Sequence, residues 1–89
     1  MKPGADHSVI ARRLVQTRLA LGYKTQRALT DQIGIVSHLY NAFERGRRRI
    51  SLGVALLIYE EFGVSLDWIY CGDPSGLPAK LSRKLKRSR

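Results

Sequence analysis

Residues 26–45 read QRALTDQIGIVSHLYNAFER. Leu29 and Ile33 lie one helical turn apart and give the first half an apolar stripe. Thr25, just before it, is a residue type that caps helix N-termini. Gly34 can take the left-handed conformation that ends a helix and turns the chain sharply. Ile35 and Val36 follow, and Ser37 can cap or open a second helix that runs to Glu44 or Arg45 and stops at Gly46. Tyr40 and Phe43 are its inward positions, and with Ile35 they pack it across the first helix. The outer face of the second helix is then left uncovered. A helix of this kind fits a DNA major groove, which is about 12 Å wide and displays distinct base edges.

Upstream, Ile10, Leu14, Thr17 and Leu21 recur at helical steps, with Arg12 and Arg13 turned away. Asp6 or Ser8 can cap that helix, and Gly22 can end it. Downstream, Arg47, Arg48 and Arg49 form a basic loop. Ser51 caps a helix over 52–62 that Gly63 ends, and Ser65 caps a short one over 66–70 that ends near Gly72. Residues 73–78 are rich in turn formers. Beyond them comes a Lys/Arg-rich stretch with Leu77, Leu81 and Leu85 four residues apart, either a frayed amphipathic helix or disordered. No stretch alternates cleanly as a strand does, and no Asn-Gly or Asp-Gly hairpin turn is present. The expectation is an all-α protein: a flexible N-terminus over 1–7, a compact five-helix domain over 8–72, and a linker with a basic C-terminal tail over 73–89.

The 89 residues suffice for one domain. Sixteen Lys and Arg against seven Asp and Glu give a net charge of +9, concentrated in Lys80, Arg83, Lys84, Lys86, Arg87 and Arg89. Such a balance suits a polyanionic partner. A single cysteine, Cys71, excludes an internal disulfide and a cysteine-based zinc site. Two distant histidines, His7 and His38, offer no metal site, so no metal or cofactor is expected. The N-terminal residues lack the apolar run of a signal peptide, and the longest apolar stretch, 54–59, is too short to span a bilayer. A cytoplasmic location with no membrane partner is expected. Catalysis is not: no Ser-His-Asp spacing or phosphate-cradling Gly loop is present, and Asp67 with Glu60 or Glu61 has no pocket-forming context.

The series Thr25-Gln26, Ile33-Gly34, Phe43-Glu44-Arg45-Gly46, Ile50-Ser51-Leu52 and Phe62-Gly63-Val64-Ser65-Leu66-Asp67 resembles the lambda-repressor-like, XRE/Cro-type helix-turn-helix proteins of phages and bacteria. The resemblance spans roughly residues 9–72. It implies a sequence-specific transcriptional regulator, a phage- or prophage-type repressor that binds double-stranded DNA at a palindromic operator as a homodimer. Carried over by position, it makes Ser37, His38, Asn41 and Ala42 the base readers. Gln26, Arg45, Arg47, Arg48 and Arg49 become phosphate contacts that fix register. Arg18 and Glu44 become an ion pair tying the first helix to the recognition helix. Three positions depart from the family pattern. Thr30 stands where a small residue lets the helices approach, and Val36 stands where a polar cap is usual, which leaves Ser37 to cap one residue late. Lys24 reads as a one-residue insertion before the motif.

Several features have plainer roles. Tyr40 and Phe43 are core residues, and Trp68 and Tyr70 pack the fifth helix, with Leu66 and Ile69 able to extend that surface to a second subunit. The basic tail suits DNA, RNA or an anionic membrane equally. It also leaves open an antitoxin-like module that neutralises a protein partner through the tail while binding DNA.

Overall fold

Side-chain caps and left-handed glycines set both ends of three of the helices. The structure, a computed structural model, describes residues 7–87, with side chains through Lys86. The order is α1 (His7–Ala20), α2 (Gln26–Ile33), α3 (Ser37–Glu44), α4 (Leu52–Phe62), α5 (Leu66–Cys71), a 3-10 turn (Pro74–Gly76) and α6 (Ala79–Arg87). No strand occurs among the described residues. The expected loose N-terminus lies outside them up to residue 6, and so does Asp6 as a cap. His7 already opens α1, which puts Ser8 inside the helix rather than at its cap.

Thr25 Oγ1 accepts from Ala28 N at 3.1 Å, Ser51 Oγ from Val54 N at 3.3 Å, and Ser65 Oγ from Trp68 N at 3.1 Å. Each satisfies an amide that has no carbonyl partner in the first helical turn. At the other end of α2, Gly34 adopts φ 78°, and the amides of Gly34 and Ile35 both donate to the Thr30 carbonyl, at 2.8 and 3.1 Å. That reversal brings α3 back across α2 after only three residues.

The core is one cluster drawn from every helix, with Leu29, Tyr40, Ala55, Val64 and Ile69 almost wholly enclosed. Tyr40 and Phe43 meet edge to face, their ring centres 6.4 Å apart. No buried side-chain nitrogen or oxygen among the described residues lacks a hydrogen-bond partner. Thr30 is fully enclosed, and its hydroxyl donates to the Arg27 carbonyl at 3.2 Å. Trp68 Nε1 donates to Thr17 Oγ1 at 2.8 Å, and that hydroxyl donates in turn to the Arg13 carbonyl at 2.6 Å.

Three expectations need correction. Six α-helices rather than five occur among the described residues, because Leu77, Leu81 and Leu85 turn inward and dock α6 against α1. Each leucine so buried contributes about 1.5–3 kcal/mol relative to exposure, enough to order a segment whose charges alone would favour solvation. Arg13 does not simply point to solvent. Its Nη1 donates to the Ile69 carbonyl at 2.9 Å and its guanidinium lies 5.6 Å from the centre of the Trp68 ring, burial there pulling its pKa below the ordinary value. Ile69 is only 1% exposed and so offers nothing to a second subunit.

A Cβ added at Gly34 meets no atom within 4 Å, so substitution there tests backbone conformation alone. Gly34→Ala is expected to destabilise the fold by about 1–2 kcal/mol, with Gly34→Asn costing less because asparagine tolerates the left-handed region better. Urea unfolding checks this; equal stability for all three chains would mean that the turn does not depend on the left-handed residue.

Candidate nucleic-acid interface

α3 presents two faces of opposite character. Tyr40, Phe43 and Glu44 are buried, while His38, Ala42 and Arg45, at steps of four and three, lie on the other side. His38 and Arg45 are exposed; Ala42 is half-buried, as are Ser37 and Asn41 on one flank.

The inward side is anchored by a carboxylate. Glu44 Oε2 accepts from Arg18 Nε at 2.8 Å, and Glu44 Oε1 accepts from Arg18 Nη2 at 3.3 Å and from Gln26 Nε2 at 3.0 Å. The Glu44 side chain is 2% exposed and that of Arg18 10%. Arg18 uses its remaining reach to donate from Nη1 to the Tyr23 carbonyl at 2.9 Å. Tyr40 completes the cluster. Burial pushes its hydroxyl far up, and the charge of Glu44 and a hydrogen bond with it add to the shift against the opposing Arg18. The phenol therefore stays protonated and remains a donor. One side chain thus ties α1, the start of α2 and α3 together.

Of the expected phosphate contacts, Gln26 has one amide hydrogen committed to Glu44 and keeps a second. Arg45, Arg47 and Arg48 are exposed and have no carboxylate within ion-pair distance among the described residues. The amides of Arg47 and Arg48 both close on the Ala42 carbonyl, at 3.0 and 3.3 Å, which winds the basic loop back against the end of α3. Gly46, at φ 74°, makes that loop possible and lies so close to α1 that an added Cβ would sit 3.7 Å from Ala11 Cβ. Arg49 is exposed and sits near enough to Tyr70 for its charge to oppose the burial that pushes the Tyr70 hydroxyl up. Tyr70 Oη donates to the Ile50 carbonyl at 2.8 Å and holds the loop's end against α5.

Ser37 does not cap α3. Val36 occupies the cap position with no side-chain hydrogen bond, and Ser37 is the first helical residue. Its hydroxyl and the Asn41 amide have no partner among the described residues. Two residues outside the expected set also reach the surface here: Val36 is 68% exposed and Leu39 36%. A helical projection could have found Leu39, which falls one position before the inward Tyr40. As apolar groups they suit thymine methyls rather than hydrogen-bonding base edges. Among the described residues no group of three or more His, Cys, Asp or Glu is placed to hold a metal ion. No described helix is long and apolar enough to cross a membrane.

No protein-family model matches the chain, and neither a curated protein nor a solved structure matches it.

Removing one partner of the central pair strands the other in the interior. Glu44→Ala is expected to cost about 3–5 kcal/mol, whereas the combined Arg18→Met/Glu44→Leu change costs much less. A double-mutant cycle from thermal or urea unfolding measures this; additive losses would show that the two groups do not act as a pair.

Proposed function

We propose that this chain is a sequence-specific DNA-binding regulator of the lambda-repressor-like type, with α2 and α3 as a helix-turn-helix and α3 as the recognition helix. The observation that carries the proposal is the two-sided character of α3. A buried carboxylate clamps its inner side to two other helices, while on the other side His38 and Arg45 are exposed, Asn41 and Ala42 are half-buried beside them, and three arginines follow at its exit. In the major groove, Asn41 suits adenine, His38 and Ser37 suit base edges, and Ala42 suits a thymine methyl. Arg45, Arg47, Arg48 and Arg49, with the second amide hydrogen of Gln26, would hold phosphates and fix the register. Regulation would follow from occupancy of a promoter, as a repressor in the cytoplasm, without chemistry on the DNA. The antitoxin-like alternative draws less support, because the tail's leucines are already engaged with this chain's own core.

A palindromic operator calls for a second copy, with half-sites about one turn, roughly 34 Å, apart. The chain's principal extents of 31 × 29 × 21 Å are compatible with that spacing for two abutting copies. α4 offers the contact. Leu52, Leu56 and Tyr59 recur at steps of four and three and are exposed, with Leu57 beside them. The arginine loop precedes this stripe, and the exposed Glu60 lies at its far end. Pairing α4 antiparallel with its copy about Leu56 would bury the stripe and set each basic end against the other's acidic end, as a two-fold contact requires.

Selection from a random DNA pool should enrich a palindrome; an unenriched pool would remove the basis for sequence recognition. Asn41→Ala should then change the preferred sequence, while Arg47→Ala should weaken all sequences alike and lower the salt slope by about one. Equal losses on selected and random DNA for Asn41→Ala would deny it a base contact. Leu56→Glu should yield a monomer in sedimentation that keeps half-site affinity and loses the palindrome's advantage. A dimer that survives this change would place the contact elsewhere.

A further inference from the structure

The basic helix α6 is not placed to strengthen the grip of α3 on DNA. α1 lies between them. Ala11 and Arg18 of α1 face the α3 side, through Gly46 and Glu44. Val9 and Gln16 share a cleft with Leu85, and Ala20 shares another with Leu81. Positions 9, 16 and 20 are two residues out of step with 11 and 18, which is about half a turn around the helix. α6 therefore runs antiparallel to α1 on the side opposite α3. With neighbouring helix axes about 8–10 Å apart, the α3 and α6 axes are separated by roughly 16–20 Å. A groove about 8.5 Å deep that admits α3 leaves the outer face of α6 well clear of that duplex.

The outer face carries charge and little else. Lys80, Arg83 and Lys86 are exposed and have no carboxylate partner among the described residues, and Lys84 is exposed beside them. From Pro74 to the end of the sequence there is no acidic residue. Docking also decides what can bind. The three leucines that would anchor an amphipathic helix in a bilayer are turned into the core, so α6 offers a membrane no apolar face. Its outer residues other than the cations are small, Ala79 among them, and give a protein partner no aromatic or large aliphatic anchor. A rigid row of cations with neither feature fits a partner of high, regular charge density. A duplex carries about one phosphate per 1.7 Å of axis and gains from counterion release.

We propose that the outer face of α6 is a second duplex-binding surface, independent of sequence, which lets one molecule hold a second DNA segment while α3 holds the first. The bridging rests on the α3 assignment; the α6 surface does not.

The test uses the full chain with two variants, Lys80→Gln/Arg83→Gln/Lys86→Gln on α6 and Arg45→Gln/Arg47→Gln/Arg48→Gln at the α3 exit. All six positions are exposed, so both variants are expected to keep their helix content, which circular dichroism checks before any binding is measured. The α3-exit variant should still bind a random-sequence duplex, and adding the α6 changes should weaken that binding at least tenfold. The salt slope should fall by about three, near 0.9 for each phosphate that is no longer neutralised. The α6 variant alone should keep its preference for the selected sequence. Bead-bound selected duplex loaded with it should capture at least tenfold less of a second, labelled duplex than wild type does.

Random-duplex binding by the α3-exit variant that is indifferent to the α6 changes would overturn the proposal. So would loss of binding to vesicles rich in phosphatidylserine with duplex capture unchanged, or loss of binding to a polyglutamate peptide with capture unchanged. If wild type binds duplex with no sequence preference, the α3 assignment fails while the α6 comparison still stands or falls by itself.

Discussion

Glu44 is a carboxylate almost without access to water that accepts hydrogen bonds from α1 and from the first residue of α2. An ionised group in such a place is tolerated only when its lone pairs are taken up by donors, since desolvating it otherwise costs several kcal/mol. That requirement constrains three helices at once. Arg18 must lie on the inner face of α1, Gln26 must start α2 at that point, and Tyr40 must keep its proton and face the same side of α3 as Glu44. Apolar packing is non-directional and would allow α3 to slide or rotate against its neighbours. A bidentate Arg18–Glu44 pair does not, because the planar guanidinium accepts a carboxylate in few orientations.

The orientation of α3 decides which residues it exposes. With Glu44 inward and Tyr40 and Phe43 beside it, His38, Ala42 and Arg45 have only the outward direction left. A rotation by one residue would bury Asn41 and bring Tyr40 to the surface. The surface proposed to meet DNA is thus set from behind, by a cluster that lies inside the fold apart from Gln26. Gln26 belongs to both sides, with one amide hydrogen on the buried carboxylate and the other available outward.

The bounds of α2 and α4 were legible because each is marked by a residue whose chemistry acts locally: Thr25 and Ser51 at starts, Gly34 and Gly63 at ends. The Arg18–Glu44 pair was legible only through resemblance, since nothing local in either residue points to a partner 26 positions away. Whether Ser37 caps or opens α3 stayed open in the sequence, because serine suits either place; the helix begins at Ser37 itself and leaves Val36 outside. The state of residues 77–87 could not be decided from sequence. The four-residue spacing of Leu77, Leu81 and Leu85 was visible, but docking needs a receiving surface, and Val9, Gln16 and Ala20 make one only after α1 has formed. Arg13 was misplaced for the same reason: its acceptor, the Ile69 carbonyl, is 56 positions downstream.

A chain of this length buries a smaller share of its surface than a large domain does, so every apolar stripe counts toward stability. The leucines of α6 add to the core and in the same act fix which way its cations point. In an unfolded tail those charges would sample all directions and lose conformational entropy on binding. Docked, they form one face with its orientation already determined, on the side of α1 away from α3. Stability and charge placement are therefore coupled in α6 as they are in α3, by leucines in one case and by a carboxylate in the other. The difference lies in tolerance: leucine packing accepts Met or Ile at small cost, whereas Glu44 has no isosteric substitute that keeps its charge.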